Sequence, residues 1–220
     1  MLFFMKFGNC EYMNEFRRGS LFFRRLEIFR SHDEDLAKRN DIYEGITSIF
    51  SPNNCEITID GHKIEKEDLI APITFNISKD FPDYSLSLYA ITDNIIKNFL
   101  KGNSSHIIDP RMNSFGTHCV VITDNQEFQK RIAETLAKLK LSNKTGLVEY
   151  QDVENFSGEW GSFKKPNKYS YQSEYRIMID GQGKIEDFFK LEIGDISDIS
   201  KIGTFEEIVS TFKVQQVETR

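Results

Sequence analysis

Apolar residues in this chain gather in short runs of strand length, and only one stretch repeats them at clear helical intervals. The runs fall at 1–8, 20–29, 73–78, 84–91, 118–123, 146–153, 171–180 and 188–193, with turn-forming residues between them. That pattern predicts an α+β domain with a substantial, mostly antiparallel sheet and a few short helices. The clearest helix starts at Asp124, where Asp124 and Glu127 have the spacing of a capping box and Phe128, Ile132, Leu136 and Leu139 follow on one face. A shorter helix fits Cys10–Arg18, closed by Gly19, and a last one fits Ile199–Phe212. Cys55–Ile64 alternates apolar and polar residues around Asp60-Gly61 and reads as a hairpin. The polar segment 31–41 reads as a mobile loop, and Gly181-Gln-Gly183 as a turn.

With 220 residues, 13% aromatic content and 19 Phe, the chain has enough buriable surface to fold as one domain over 1–220. Its net charge of −6 argues against bulk nucleic-acid binding and against an anionic membrane surface. No apolar run approaches the roughly 20 residues of a membrane span. The apolar start is too short for a signal peptide, and its arginines follow rather than precede it. Cys10, Cys55 and Cys119 are odd in number and widely spaced, which fits neither a disulfide framework nor a zinc site, so a reducing cytoplasm and no metal are expected.

Several chemistries are excluded by spacing. The chain has no phosphate-binding Gly-x-x-x-x-Gly-Lys loop, no Gly-x-Gly-x-x-Gly turn and no Gly-x-Ser-x-Gly elbow. His32, His62, His106 and His118 never flank a Glu at helical zinc spacing. No Asp-x-Lys or Glu-x-Lys is present to serve a metal-dependent nuclease.

The densest mixture of aromatic, basic and carboxylate groups is Phe163 through Asp180. On a strand, Gln172, Glu174 and Arg176 would share one face, and Tyr171, Ser173, Tyr175 and Ile177 the other. One reading is a solvated strand edge with a local Glu174–Arg176 pair; the other is a site. Trp160, in a Gly-flanked loop just before this segment, fits either a loop anchor or a surface on which a ring stacks.

Tyr169, Gln172 and Glu174 form an aromatic-x-x-Gln-x-Glu pattern leading into an apolar strand, and this resembles the catalytic loop and strand of ADP-ribosyltransferases. Tyr84-Ser-Leu-Ser-Leu-Tyr resembles the Ser-x-Ser element that supports the catalytic Glu of that family, and the opening strand and helix resemble the start of its fold. The resemblance implies an ADP-ribosyltransferase-like sheet, NAD as substrate and a macromolecular acceptor or water. Glu174 would stabilise the cation that develops at the ribose, Gln172 would orient the acceptor, and Tyr169 would pack at the cleft mouth. Ser85 and Ser87 would support Glu174, and Lys6 with Arg18 would meet the phosphates. Lys6 or a neighbour stands where the family carries an Arg or His on its first strand. Of Arg17, Arg18, Arg24 and Arg25, at most half can line a cleft, because neighbours on a strand point to opposite faces.

Blocks across most of the chain, among them Asn40-Asp-Ile-Tyr-Glu-Gly, Ile108-Asp-Pro-Arg-Met and Lys164 through Arg176, also resemble a family of uncharacterised bacterial and phage-encoded proteins. That resemblance implies a setting of phage–bacterium conflict, within the host cytoplasm if phage-encoded. It also singles out Asp41, Glu44, Arg111, Lys164, Lys165, Gln172, Glu174 and Arg176 as polar residues in matching blocks, which a buried ion-pair network would also explain. The competing expectation is a non-catalytic module on the same fold that holds a nucleotide or protein with Arg111, Lys165 and Arg176. A third, resting on the −6 charge, is an acidic decoy for a nucleic-acid site.

Overall fold

The structure, a computed structural model, describes residues 3–30, 41–69, 71–77, 83–181 and 186–214. The expected loop at 31–41 and turn at 181–183 lie, except for Asp41 and Gly181, outside the described residues. In chain order the elements are β1 (Phe3–Gly8), α1 (Cys10–Arg17), β2 (Ser20–Arg25), β3 (Ser48–Phe50), β4 (Ile57–Ile59), β5 (His62–Ile64), β6 (Ile73–Phe75) and β7 (Asp83–Ile91). They continue with α2 (Asp93–Leu100), β8 (His118–Ile122), α3 (Asn125–Lys138), β9 (Asn143–Leu147), β10 (Glu149–Gln151), β11 (Ser157–Glu159) and β12 (Lys164–Pro166). Last come β13 (Glu174–Asp180), β14 (Phe188–Glu192), β15 (Ser200–Thr204) and α4 (Phe205–Thr211).

The main sheet of this mixed α/β domain is antiparallel and centred on β7. One edge of β7 pairs with β13, which in turn pairs with β9. The other edge is shared. Tyr89, Ala90 and Ile91 pair with Met5, Phe4 and Phe3 of β1, whereas Ser85 and Tyr84 pair with Arg24 and Arg25 of β2. Between those stretches, at Leu86, Ser87 and Leu88, the ladder opens. Strand β1 leads on to β8 and β15, strand β2 to β14, and the sheet forks.

Alternation along β7 sends Tyr84, Leu86, Leu88 and Ala90 to one face, where they meet Met13 and Phe16 of α1 and Phe128, Ile132 and Leu136 of α3. Tyr89 and Ile91 face the other side, against Met5, Phe7, Met112, Phe205 and Ile208. A small outer sheet, β11-β3-β6, closes over Ile46, Ile49 and Trp160. Trp160 is buried between Phe156 and Tyr43, with ring centroids 5.3 and 6.1 Å away, so it is an anchor and presents no surface to a ligand. No helix among the described residues is long and apolar enough to cross a membrane.

Several boundaries differ from the sequence reading, among them that of the expected strand 73–78, which ends at Phe75. Ser20–Phe29 is a strand only to Arg25 and continues as a 3-10 turn. Gly146–Val153 divides into β9, which starts earlier, and the separate β10. The first half of Ile199–Phe212 is β15, because β8 offers an open edge that Ser200–Thr204 fills. The expected strand Tyr171–Asp180 starts only at Glu174: Asn167–Gln172 is a 3-10 turn, and Ser173 turns the chain with φ 37°.

Candidate functional site

The residues before β13 do not continue its face, yet Gln172 and Glu174 still converge. Lys165, on the short strand β12, donates from Nζ to Glu174 Oε2 at 2.8 Å and to Gln172 Oε1 at 3.0 Å. Glu174 Oε1 accepts from Arg176 Nε at 2.5 Å and from the Ser87 hydroxyl on the neighbouring strand. The Glu174 backbone N–H donates to the Tyr150 hydroxyl at 2.9 Å, fixing the first residue of β13. Glu44 completes the cluster from the turn after Asp41. Its carboxylate lies 2.6 Å from Arg176 Nη1 and 3.4 Å from Lys165 Nζ. Arg176 also donates to the Ser162 carbonyl.

Two carboxylates and two cations are therefore buried together, with the charges balanced. Burial alone would raise the Glu174 carboxyl; the charges of Arg176 and Lys165 and their hydrogen bonds overcome that and hold it well below the usual carboxylate range. Burial likewise opposes the charge on Lys165, and Glu174 and Glu44 restore it, leaving the ammonium above its ordinary value. Asp41 behaves in the opposite sense. Burial, then the nearby charge of Glu44, raise its carboxyl to about 6, and its Oδ2 has no hydrogen-bond partner among the described residues.

The cluster forms one wall of a cavity of about 620 Å³, located where the sheet forks. That volume is of the size that encloses a small-molecule ligand. Lys6 lies at the fork and donates from Nζ to the Ser87 carbonyl at 2.8 Å. Among the charged residues that line the cavity, Lys6, Arg24, Lys165 and Arg176 outnumber Glu44 and Glu174, so the lining carries two more cations than anions on a chain of net charge −6.

Of the residues singled out in the sequence, Glu174, Gln172, Ser87, Ser85, Lys6 and Arg176 line this cavity. Ser87 bonds Glu174; Ser85 does not, and its buried hydroxyl has no partner among the described residues. Arg18 is placed elsewhere: it caps the C-terminal end of α1 and is exposed. Arg111 is also outside the lining. It forms a two-point pair with Asp109 at 2.9 and 2.7 Å and stacks 4.0 Å over Tyr171. Tyr169 is buried beside Lys165 rather than at a cleft mouth, and burial pushes its hydroxyl up to about 12. Arg24 lines the cavity while Arg25 turns away to Glu27, as alternation requires.

Phe188 and Tyr12 carry no motif in the sequence; Phe22 in Gly19-Ser-Leu-Phe-Phe, Tyr150 in Val148-Glu-Tyr, Glu44 and Lys165 have only their places in the blocks that carry the second resemblance, and what joins them is strand register and long-range packing. Among the described residues no three His, Cys, Asp or Glu side chains are grouped to hold a metal ion. No family model, curated protein or solved structure matches the chain.

Proposed function

We propose that the chain cleaves NAD at the nicotinamide–ribose bond and passes ADP-ribose to an acceptor or to water, as an ADP-ribosyltransferase-like enzyme. The observation that carries this reading is a Glu174 carboxylate kept ionised by Arg176 and Lys165, propped by Ser87, in the wall of a cation-rich cavity. A carboxylate offers about four acceptor positions. Arg176, Ser87 and Lys165 occupy three of them, which leaves one for a ribose hydroxyl. As the glycosidic bond breaks, its electron pair leaves on the nicotinamide nitrogen, and positive charge grows on the ribose. A fixed anion in a site shielded from water lowers the energy of that charge without reorganising. The acceptor oxygen then bonds to the anomeric carbon and releases its proton to solvent. Gln172, held through Oε1 by Lys165, orients that acceptor, and Lys6 and Arg24 meet the pyrophosphate.

Nicotinamide release from NAD by wild type and Glu174→Gln tests the reading. The expected result is a loss of roughly 100-fold in the variant, the size seen on removing one electrostatic group from a transition state. Equal background rates in both proteins would overturn it. Since Glu174→Gln disturbs a buried ion cluster, Ser87→Ala is measured beside it, with a smaller loss expected.

One observation favours a second reading, a nucleotide-binding module without catalysis. Glu174 is only 4% exposed, and Lys165 sits between it and Gln172, so the carboxylate also serves a structural pairing. Saturable NAD binding with no nicotinamide release would select that reading.

A further inference from the structure

The end of the cavity away from Glu174 is built differently. Phe22 of β2, Phe188 of β14 and Tyr12 of α1 line it in a row, with centroids 5.7 Å apart for Phe22 and Phe188 and 6.3 Å for Tyr12 and Phe22. They are 37%, 54% and 58% exposed, a cluster of aromatic side chains open to solvent apart from the Lys190 ammonium over Phe22. Strand register places a polar row beside them: Phe188 lies opposite Arg24, and Arg24 opposite Ser85. Ser85 lines the cavity, is 4% exposed, and has a hydroxyl with no partner among the described residues.

Each feature narrows the occupant. Exposed rings inclined to one another, by 40° for Phe22 and Phe188 and 66° for Tyr12 and Phe22, offer a flat ring a face and edges to pack on, and aromatic side chains bind bases by stacking. A buried hydroxyl without a partner calls for a hydrogen-bonding group on the ligand. Arg24 and Lys6, in a lining richer in cations than anions, call for an anionic tail. A lipid chain would leave Ser85 and Arg24 unused, and a sugar phosphate would leave the rings uncovered. Lys190 lies 5.0 Å over Phe22, with half-exposed ion pairs of 3.6 Å to Glu192 and 3.9 Å to Glu15, contacts of the kind that cost little to exchange for a ligand ring.

We propose that this end of the cavity is a subsite for a purine nucleotide. The base lies against Phe22 between Tyr12 and Phe188, the Ser85 hydroxyl bonds to the base edge or the ribose, and Arg24 with Lys6 meets the 5′-phosphate. The same chemistry comes from a free mononucleotide or from the adenylate half of a dinucleotide. The subsite does not depend on bond cleavage at Glu174.

Titration of the full chain with AMP, NAD and nicotinamide mononucleotide by calorimetry tests the proposal. Saturable AMP binding is expected, weakened roughly tenfold in Phe22→Ala or Phe188→Ala, weakened less in Ser85→Ala and retained in Phe22→Trp. Phe188 is more than half exposed, so the Phe188→Ala variant keeps its melting temperature and separates lost binding from lost folding. No AMP binding, or equal AMP affinity in wild type and both Ala variants, would overturn the proposal. So would nicotinamide mononucleotide binding that is lost in Phe22→Ala as strongly as AMP binding. An NAD affinity that falls with AMP affinity identifies the dinucleotide as the source; a fall for AMP alone identifies the mononucleotide. AMP binding without nicotinamide release removes the enzymatic reading and leaves the subsite standing.

Discussion

Glu44, Glu174, Lys165 and Arg176 have exchanged water for one another, and such an exchange repays its desolvation only when every charge is paired. Asp41 sits just outside that pairing. Its folded-state carboxyl is raised to about 6 from an ordinary 3.8, so the folded protein holds the proton more tightly than the unfolded chain does. Its contribution is therefore full below about pH 4 and lost as pH rises through about 6, a penalty on the order of 3 kcal/mol at neutral pH. Asp41→Asn keeps an acceptor for the Tyr43 N–H, which Asp41 Oδ1 holds at 3.1 Å. By urea denaturation the variant is expected to be more stable than wild type by up to about 3 kcal/mol at about pH 7.5 and no more stable at about pH 4. Equal differences at both pH values would contradict the assignment. At this scale the sequence was informative about Glu174, Gln172, Ser87 and Lys6, which motif and position single out. It was silent on how Glu44 reaches Arg176 across 132 residues, because that pairing exists only once the outer sheet has closed.

Among the elements, α1 and β2 depend on a single residue between them. Gly19 has φ +88°, and a Cβ there would come within 1.8 Å of the Gly194 carbonyl oxygen. The Ile193 N–H donates to the Gly19 carbonyl at 2.9 Å, so the same point ties the end of β14 to the start of β2. Gly19→Ala is expected to destabilise by more than about 1 kcal/mol, since both the backbone angle and the space exclude a side chain. A urea midpoint unchanged from wild type would contradict this. Gly19 was legible as a helix stop; its approach to Gly194 was not, because it is a contact between distant segments. Other elements show where local signals give way. Thr204 and Glu207 close a capping box at the start of α4, a spacing present in the sequence that marks where β15 ends. At α3, Asp124 caps the helix but Glu127 turns to Arg131 instead, and Leu139 ends the helix half exposed rather than on its buried face. The helix α2, capped by Thr92, is spelled by Ile95, Ile96 and Phe99 against the second core cluster. Its apolar pattern is too short to stand out.

Over the whole molecule, the fork of the sheet decides where chemistry is possible. Strand β7 gives one edge to two partners, and the opening between them admits Lys6 and the cavity. Alternating runs announce a sheet, but not that two strands share one edge, so the α+β class was legible and the position of the cavity was not. The charge distribution follows the same division. A chain of net charge −6 keeps a cation-rich lining at the fork, a charge pattern suited to an anionic ligand. In the proposed reaction Glu174 acts mainly on developing positive charge, since its hydrogen bond to the ribose hydroxyl is one that a Gln oxygen also accepts. Calorimetric titration of NAD into wild type and Glu174→Gln, with nicotinamide release measured on the same samples, separates the two roles. The account predicts dissociation constants that agree within about threefold while release falls roughly 100-fold. Binding and release lost together, or release unchanged, would contradict it.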